Sequence, residues 1–354
     1  MILLNKLFPT APIYTLVCDR QNLPQELGSA RIITSFIDKL PDAVHKYPNY
    51  LPLMPRAVEQ WNLSEYDIVL SSCHCCVKGA LTREDQVHIC YCYTPIRYIW
   101  DLHHTYLKHS QLSGIKRKVF EWTAHYLRMW DYLAAQRVDR FVAISETVRR
   151  RIEKTYQRKS AVVYPPVSTD FFVPDSLGVK DYYLVVSRFV PYKRVDLAIQ
   201  AFAARPETLL VVGSGPQEQE LKKNAPRNVE FLGAVSDIEL RMLYQNARAL
   251  IFPGVEDFGL TPVEVQACGR PVIAYGKGGA LETVIDGKTG VFFHEQTPDS
   301  INEAVTNLEK AEIDFEACRE NAMRFNEDRF LEGIMAIVKP FMEEKSDAFL
   351  HGGV

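Results

Sequence analysis

The chain has 354 residues, 47% of them hydrophobic and 24% charged, enough for two domains with ample cores. Its net charge of -3 selects no partner class, no apolar run reaches the ~18 residues of a membrane span, and eight cysteines in so long a chain make no disulfide framework. Met1 is followed by only a short apolar stretch before Asn5 and Lys6, so no signal peptide is read and a cytoplasmic protein is expected, peripheral at the inner membrane face at most.

In chain order, the first half predicts strands at 12–17, 67–72, 87–92, 139–144 and 161–164, with long helices over 42–60, 96–108 and 114–137. Pro165-Pro166 and the polar stretch after them break periodicity, which places an interdomain linker between Pro165 and Asp181. The second half then alternates strictly. Strands are expected near 182–187, 208–213, 229–232, 248–252, 271–274 and 290–293, and helices near 193–204, 216–223, 236–246, 262–268, 279–285 and 298–309. Such alternation predicts a doubly wound parallel sheet. A last helix is expected over roughly 328–343.

Charge divides unevenly between the halves. Residues 1–174 carry 22 Lys+Arg against 16 Asp+Glu, and 175–354 carry 19 against 28. The basic first half, densest in Ile115–Phe120 and Arg149–Lys159, favours a polyanionic acceptor or an anionic membrane surface, and a solvated helix face accounts for such runs equally. Nucleic acid is not expected, because no recognition helix or aromatic stacking motif accompanies the cations.

Two segments carry the chemistry. Glu256 to Glu264 reads EDFGLTPVE, after the apolar strand Ala249–Phe252 and at the opening of a helix that closes at Gly269. A helix start offers free N–H groups and the positive end of a dipole, a seat for phosphate, and carboxylates suit sugar hydroxyls. A capped surface helix with ordinary acids would read the same way in isolation. The second segment follows the buried strand Tyr182–Ser187, where Arg188 and Lys193 bracket a βα loop. Open α/β sheets bind ligands at such strand ends, and two cations there suit a diphosphate. Gly213-Ser214-Gly215-Pro216 closes the next strand without the spacing of a dinucleotide fingerprint, which argues against a dehydrogenase.

Together these segments resemble the family-4 retaining glycosyltransferases of GT-B fold, over nearly the whole chain. The resemblance is carried by SRFVPYKRVDLAI, VVGSGP, FLGAVSD and FPGVEDFGLTPVEVQACGRPVIAYGKGGALETV in the second half. In the first half Tyr47–Trp61, Tyr66–Thr82, His88–Leu102 and Val163–Pro174 look like the mannosyltransferase branch of bacterial surface-polysaccharide synthesis. The resemblance implies two doubly wound Rossmann-like domains facing across a cleft. It implies an acceptor-side domain at 1–170, a nucleotide-sugar domain at 171–325, and a terminal helix at 326–354 crossing back to the first domain.

The implied reaction is transfer of a sugar, mannose from GDP-mannose, with retention, onto a lipid-linked or polysaccharide acceptor, using no metal and no cofactor beyond the donor. Arg188 and Lys193 would hold the diphosphate and Glu256 a hydroxyl of the donor sugar. Glu264 would hold the ribose, with Gly213, Gly215 and the backbone of Phe258, Gly259, Leu260 and Thr261 completing the donor site. His74, Tyr93 and Arg97 are the acceptor-side candidates. The resembled branch commonly has histidine at the position of Tyr93, and a tyrosine titrating near pH ~10 is a poor proton shuttle. The family also opens with a strand and glycine-rich turn that the helix read at Met1–Phe8 does not follow. Both departures keep open a non-catalytic nucleotide-sugar-binding or scaffold protein of a polysaccharide-assembly complex. His103 and His104 could lie near the same cleft, while Arg97 and Asp101, one helical turn apart, would pair with each other. Cys73, Cys75 and Cys76 around His74, with Cys90 and Cys92 after His88, match no usual zinc spacing and read as buried thiols.

Overall fold

A computed structural model describes residues 1–109, 113–175 and 178–351, with only the helical backbone of His109 and of 346–351. Residues 176–177 of the expected linker, and the last three of the expected terminal segment, lie outside it. Contacts divide the chain into two units, Met1–Val163 with Leu331–Val354, and Tyr164–Phe330.

The first unit opens with α1 (Ile2–Leu7), β1 (Ile13–Thr15) and β2 (Ile32–Thr34), the strands forming a separate parallel pair. After α2 (Ala43–Lys46) and α3 (Met54–Glu59) come β3 (Ile68–Cys73), β4 (Val87–Cys92), α4 (His103–His109), α5 (Gly114–Gln136), β5 (Arg140–Ala143), α6 (Glu146–Tyr156) and β6 (Ser160–Val162). Strands β3, β4, β5 and β6 form a four-stranded parallel sheet in chain order. The single helix expected over 42–60 is instead broken into α2, a 3-10 stretch at Tyr47–Leu53, and α3. Pro48, Pro52 and Pro55 explain the break, since each lacks the N–H that a continuous helix would donate. The helix expected from 96 begins only at His103, with 97–102 in turns. Helix α6 was not anticipated; Ser145 starts it by accepting from the Val148 N–H at 3.0 Å.

Beneath the carboxyl end of β3 lies a fully buried ion pair, Lys78 with Asp131. Asp131 also accepts from Trp100 Nε1 at 2.8 Å and from the Tyr156 hydroxyl at 2.7 Å, and Lys78 donates to the Cys75 carbonyl at 2.7 Å. Burial opposes the lysine's charge, and Asp131 outweighs it, holding the ammonium well above its ordinary range. Three elements are thereby tied to the loop after β3: β4's outgoing turn, α5 and α6.

The second unit contains β7 (Tyr182–Val186), α7 (Val195–Phe202), β8 (Thr208–Val212), α8 (Glu218–Lys223), β9 (Val229–Gly233), α9 (Asp237–Asn246), β10 (Leu250–Phe252), α10 (Leu260–Ala267), β11 (Val272–Tyr275), α11 (Ala280–Thr283), β12 (Gly290–Phe293), α12 (Pro298–Lys310) and α13 (Phe315–Met323). Its six strands are parallel, in the order β12-β11-β10-β7-β8-β9. Chain order therefore runs outward in both directions from β7 and β10, and the topological switch point lies between them. Apolar side chains from one face of the sheet, Tyr183, Val185, Leu209, Val211, Ile251, Ile273 and Phe293 among them, form a core with Phe202 of α7 and Val305 of α12. Ser236 and Glu239 close a reciprocal capping box on α9.

The stretch expected as linker packs onto this unit from Tyr164, where the contacts divide the chain. Val167 N–H donates to the Phe325 carbonyl at 2.8 Å, and Arg319 Nη1 donates to the carbonyls of Thr169, Phe172 and Ala267. Helix α14 (Glu327–His351) leaves the second unit at Phe330. Within the first unit, Arg140 lies over the Phe341 ring, 5.6 Å from its centroid, and Lys345 donates to the Asp85 carbonyl.

Candidate functional site

The loops that leave β7, β8, β10 and β11 share the carboxyl edge of the second unit's sheet, and glycines let their backbones touch. Gly213 holds φ at +124°, and a Cβ there would lie 1.9 Å from the Ser187 carbonyl oxygen. A Cβ on Gly215 would lie 2.6 Å from the Phe189 carbonyl oxygen. The β8 loop is thus pressed against the β7 loop that carries Arg188 and Lys193. Gly254 approaches the same loop from β10, where a Cβ would sit 2.9 Å from the Lys193 Cα. On the other side, Gly279 donates to the Glu256 carbonyl at 2.9 Å, and a Cβ on it would lie 2.2 Å from the Phe258 carbonyl oxygen.

This packing brings the charged candidates together at the switch point. Lys193 Nζ forms an ion pair with Glu256 Oε1, both side chains largely buried. Arg188 is exposed on the same loop and makes no ion pair among the described residues. Phe258 buries its ring between Tyr164 and Phe325, at centroid distances of 5.6 and 5.3 Å, so only its backbone faces the loop. Gly259 follows at φ +93° and starts α10, whose first turn has no side-chain cap and no acid. Leu260 and Thr261 then open the helix, and their end of it carries the positive pole of the helix dipole.

Glu264 lies one turn further along α10, largely buried. Its Oε2 accepts from the Tyr244 hydroxyl of α9 at 2.9 Å. Burial pushes its carboxyl above the ordinary range, and the Tyr244 bond opposes that shift. A desolvated carboxylate with one partner in place is a strong acceptor for further hydroxyls.

The acceptor-side candidates lie at the carboxyl ends of β3 and β4, which pair Cys73 with Cys92. Tyr93 is half-buried, accepts from Ser72 Oγ at 3.2 Å, and packs edge-on against Tyr91. His74 is exposed after β3. Arg97 pairs with Asp101 at 3.3 Å, on a turn rather than on the expected helix, and Asp101 also meets Arg151 at 3.6 Å. His103 is buried and stacks on Phe120, away from any such role, and His104 is exposed. All eight cysteines are free thiols, and no group of three metal-ligating side chains occurs among the described residues. A separate cavity of about 660 Å³ opens at the amino-terminal edge of β5 and β6, lined by Arg140, Arg158 and Phe341 among others, and none of the expected site residues lines it.

Sequence reasoning missed Tyr244 as the partner of Glu264, and Gly254, Gly278 (where a Cβ would lie 2.5 Å from the Glu256 carbonyl oxygen) and Gly279 as the contacts that close the loops. The GKGG run was the visible signal for the last two. Nothing local points to Tyr244, twenty residues before the acid it serves.

Comparison with known proteins agrees with this geometry. Residues 14–171 match the model of Glycosyltransferase Family 4, and 167–325 match that of Glycosyl transferases group 1. The chain is 28% identical over 214 residues to an uncharacterized glycosyltransferase of Methanocaldococcus jannaschii, covering 59% of this chain and 60% of that protein. It is 32% identical over 196 residues to the GDP-mannose-dependent alpha-(1-6)-phosphatidylinositol monomannoside mannosyltransferase of Mycolicibacterium smegmatis, covering 47% of this chain and 51% of the relative. The chain thus spans between about half and three fifths of these relatives' lengths. Among solved structures, the sucrose-phosphate synthase of Thermosynechococcus elongatus superposes with a TM-score of 0.72 at 19% identity, covering 95% of this chain and 90% of that one, which establishes the shared fold. The two family matches, the parallel α/β units and the loop geometry together make this chain a member of the family-4, group 1 glycosyltransferases, with the GT-B fold.

Proposed function

We propose that the protein transfers mannose from GDP-mannose, with retention, to a lipid-linked or polysaccharide acceptor at the cytoplasmic face of a membrane. The observation that carries the reading is the meeting of Lys193, Glu256 and the uncapped start of α10 at the switch point of the second unit's sheet. In this reading Lys193 and Arg188 neutralise the diphosphate, and the α10 N–H groups assist. Glu256 takes a hydroxyl of the donor sugar and Glu264 takes the ribose. The bond from the anomeric carbon to the diphosphate breaks with its electron pair on the diphosphate, and the acceptor hydroxyl oxygen bonds to that carbon while its proton passes to the departing diphosphate. Stabilising the departing charge is then the main way the protein can speed the reaction. Mannose and the guanine nucleotide are supported by the specificity named for the mannosyltransferase of Mycolicibacterium smegmatis. His74, Tyr93 and Arg97 would face the acceptor.

One observation favours a second reading. Tyr93 stands where the resembled branch commonly has histidine, which supports a nucleotide-sugar-binding scaffold without transfer. Thermal stabilisation against a panel of nucleotide sugars, followed by transfer assays with the best donor, separates the two. A ligand at about a hundred times its dissociation constant adds ~2.7 kcal/mol. A selective shift with GDP-mannose and turnover onto a lipid-linked acceptor supports transfer. A shift without turnover on any acceptor supports the scaffold, and no shift with any donor sinks both.

A further inference from the structure

Helix α5 is apolar on two opposite sides. Its inward side buries Ala124, Leu127, Trp130 and Ala134 in the core of the first unit. Its outward side carries Ile115, Val119, Trp122, Tyr126, Met129 and Leu133, each between 39% and 81% exposed. Their spacing alternates between four and three residues, which aligns all six in one stripe of a helix. From Ile115 to Leu133 the stripe runs about 27 Å at 1.5 Å per residue. Exposed apolar side chains scattered singly need no explanation, whereas a continuous row marks an interaction surface.

The charges along the row identify what covers it. Lys116, Arg117 and Lys118 are all exposed at its amino end. Of the two acids on the helix, Glu121 is paired with Arg117 at 3.0 Å and Asp131 is buried against Lys78. A second copy packed along this row would meet Lys116, Lys118 and His125 on its flanks and offer no carboxylate in return, an arrangement that disfavours helix pairing. An anionic lipid surface answers both features. Its acyl boundary accepts the apolar row, its headgroup layer suits the amphipathic rings of Trp122 and Tyr126, and its phosphates meet Lys116 and Lys118 on the flanks of the row. No helix among the described residues is long and apolar enough to cross a membrane, so contact through α5 would be in the plane of the surface.

We infer that α5 lies flat on an anionic bilayer, inserting the row from Ile115 to Leu133 and setting Lys116 and Lys118, which flank the row, on the headgroups. The inference stands apart from the donor assignment, because it requires neither a nucleotide nor transfer.

The test is flotation of the full chain with vesicles of phosphatidylcholine alone and of phosphatidylcholine mixed with phosphatidylglycerol. Tryptophan emission is read in parallel. Trp122 is 73% exposed, while Trp61 and Trp100 are half-buried and Trp130 is buried, so a blue shift on binding reports this helix. The expected result is binding to the anionic vesicles that weakens with salt. Replacing Trp122 and Leu133 together by aspartate should lower the bound fraction at least about tenfold. Lys116→Glu with Lys118→Glu should lower it by roughly fivefold for each charge removed. Both variants change exposed positions only, and an unchanged melting midpoint confirms that each is folded. Absence of wild-type binding, or equal binding by the aspartate variant, overturns the inference. So does lipid-free dimerisation of the wild type that Trp122→Asp abolishes, since that outcome assigns the row to a second copy.

Discussion

Replacing Glu264 by glutamine isolates the charge of that side chain from its structural contact. The carboxylate accepts the Tyr244 hydroxyl at 2.9 Å inside the second unit. Glutamine keeps an acceptor oxygen for that hydroxyl and nearly the same volume, so the fold is expected to survive. Its melting midpoint should match or exceed that of the wild type, because a neutral amide is easier to bury than a carboxylate whose pKa is already pushed up by burial. Binding should change more. Hydrogen bonds to a charged acceptor contribute about 1 kcal/mol more than neutral ones, so two to a ribose diol make ~2 kcal/mol, roughly thirtyfold in affinity. Glu264→Ala is a poorer probe, since it leaves the Tyr244 hydroxyl buried without its acceptor at a cost of about 1–3 kcal/mol. Isothermal titration of donor nucleotide sugar into wild type and Glu264→Gln reads the difference directly. The direction of the pKa shift adds a check: donor affinity should rise with pH through a midpoint above the ordinary carboxylate range, and the glutamine variant should lose that dependence. Equal affinity in the two proteins, at matched stability, would refute the ribose assignment.

Other expectations bear on the same loops and on the first unit. Lys193→Met should lower turnover at saturating donor by roughly a hundredfold or more, as expected when one group stabilising a leaving charge is removed; an unaltered turnover number ends that role. Gly279 has an ordinary φ of -65°, so Gly279→Ala is a purely steric probe. Its methyl would press on the Phe258 carbonyl and should destabilise by about 3 kcal/mol, seen as a fall of several degrees in the melting midpoint and weaker donor binding. A variant that melts like the wild type would show that the loops can part freely. His88 offers a pH test. Burial pushes its imidazole down to about 4, and its Nε2 meets Ser71 Oγ at 2.9 Å. Below pH ~6.5 the unfolded chain takes up a proton that the native ring does not. Stability from this group is therefore complete above that pH and is lost as pH falls toward about 4, on the order of 3 kcal/mol in all. Denaturant melts at pH 7 and pH 4.5 should show a smaller loss in His88→Asn; identical slopes would locate the acid sensitivity elsewhere.

Much of the second unit was legible in the sequence because its signals are local. A run such as Tyr182–Val185 must be buried on both faces, and the strand–helix alternation that follows it admits a parallel doubly wound sheet. The positions of Arg188, Lys193, Glu256 and the start of α10 at strand ends follow from that alternation alone. The sequence by itself also determined α5 and its approximate bounds. It did not determine where Pro48, Pro52 and Pro55 divide the helical stretch before β3, since helix-forming neighbours masked three breaks in a row. Only the tertiary structure decided which distant groups meet. Strand order put the β7 and β10 loops side by side and so paired Lys193 with Glu256. The packing of α9 against α10 delivered Tyr244 to Glu264, and loop closure required glycine at 213, 254 and 279. The outward row on α5 was equally invisible, because the helix shows apolar residues on two sides and composition cannot say which side the core takes. Periodicity along a chain fixes the elements, whereas contacts between elements depend on the order in which strands pair, and no local interaction encodes that order.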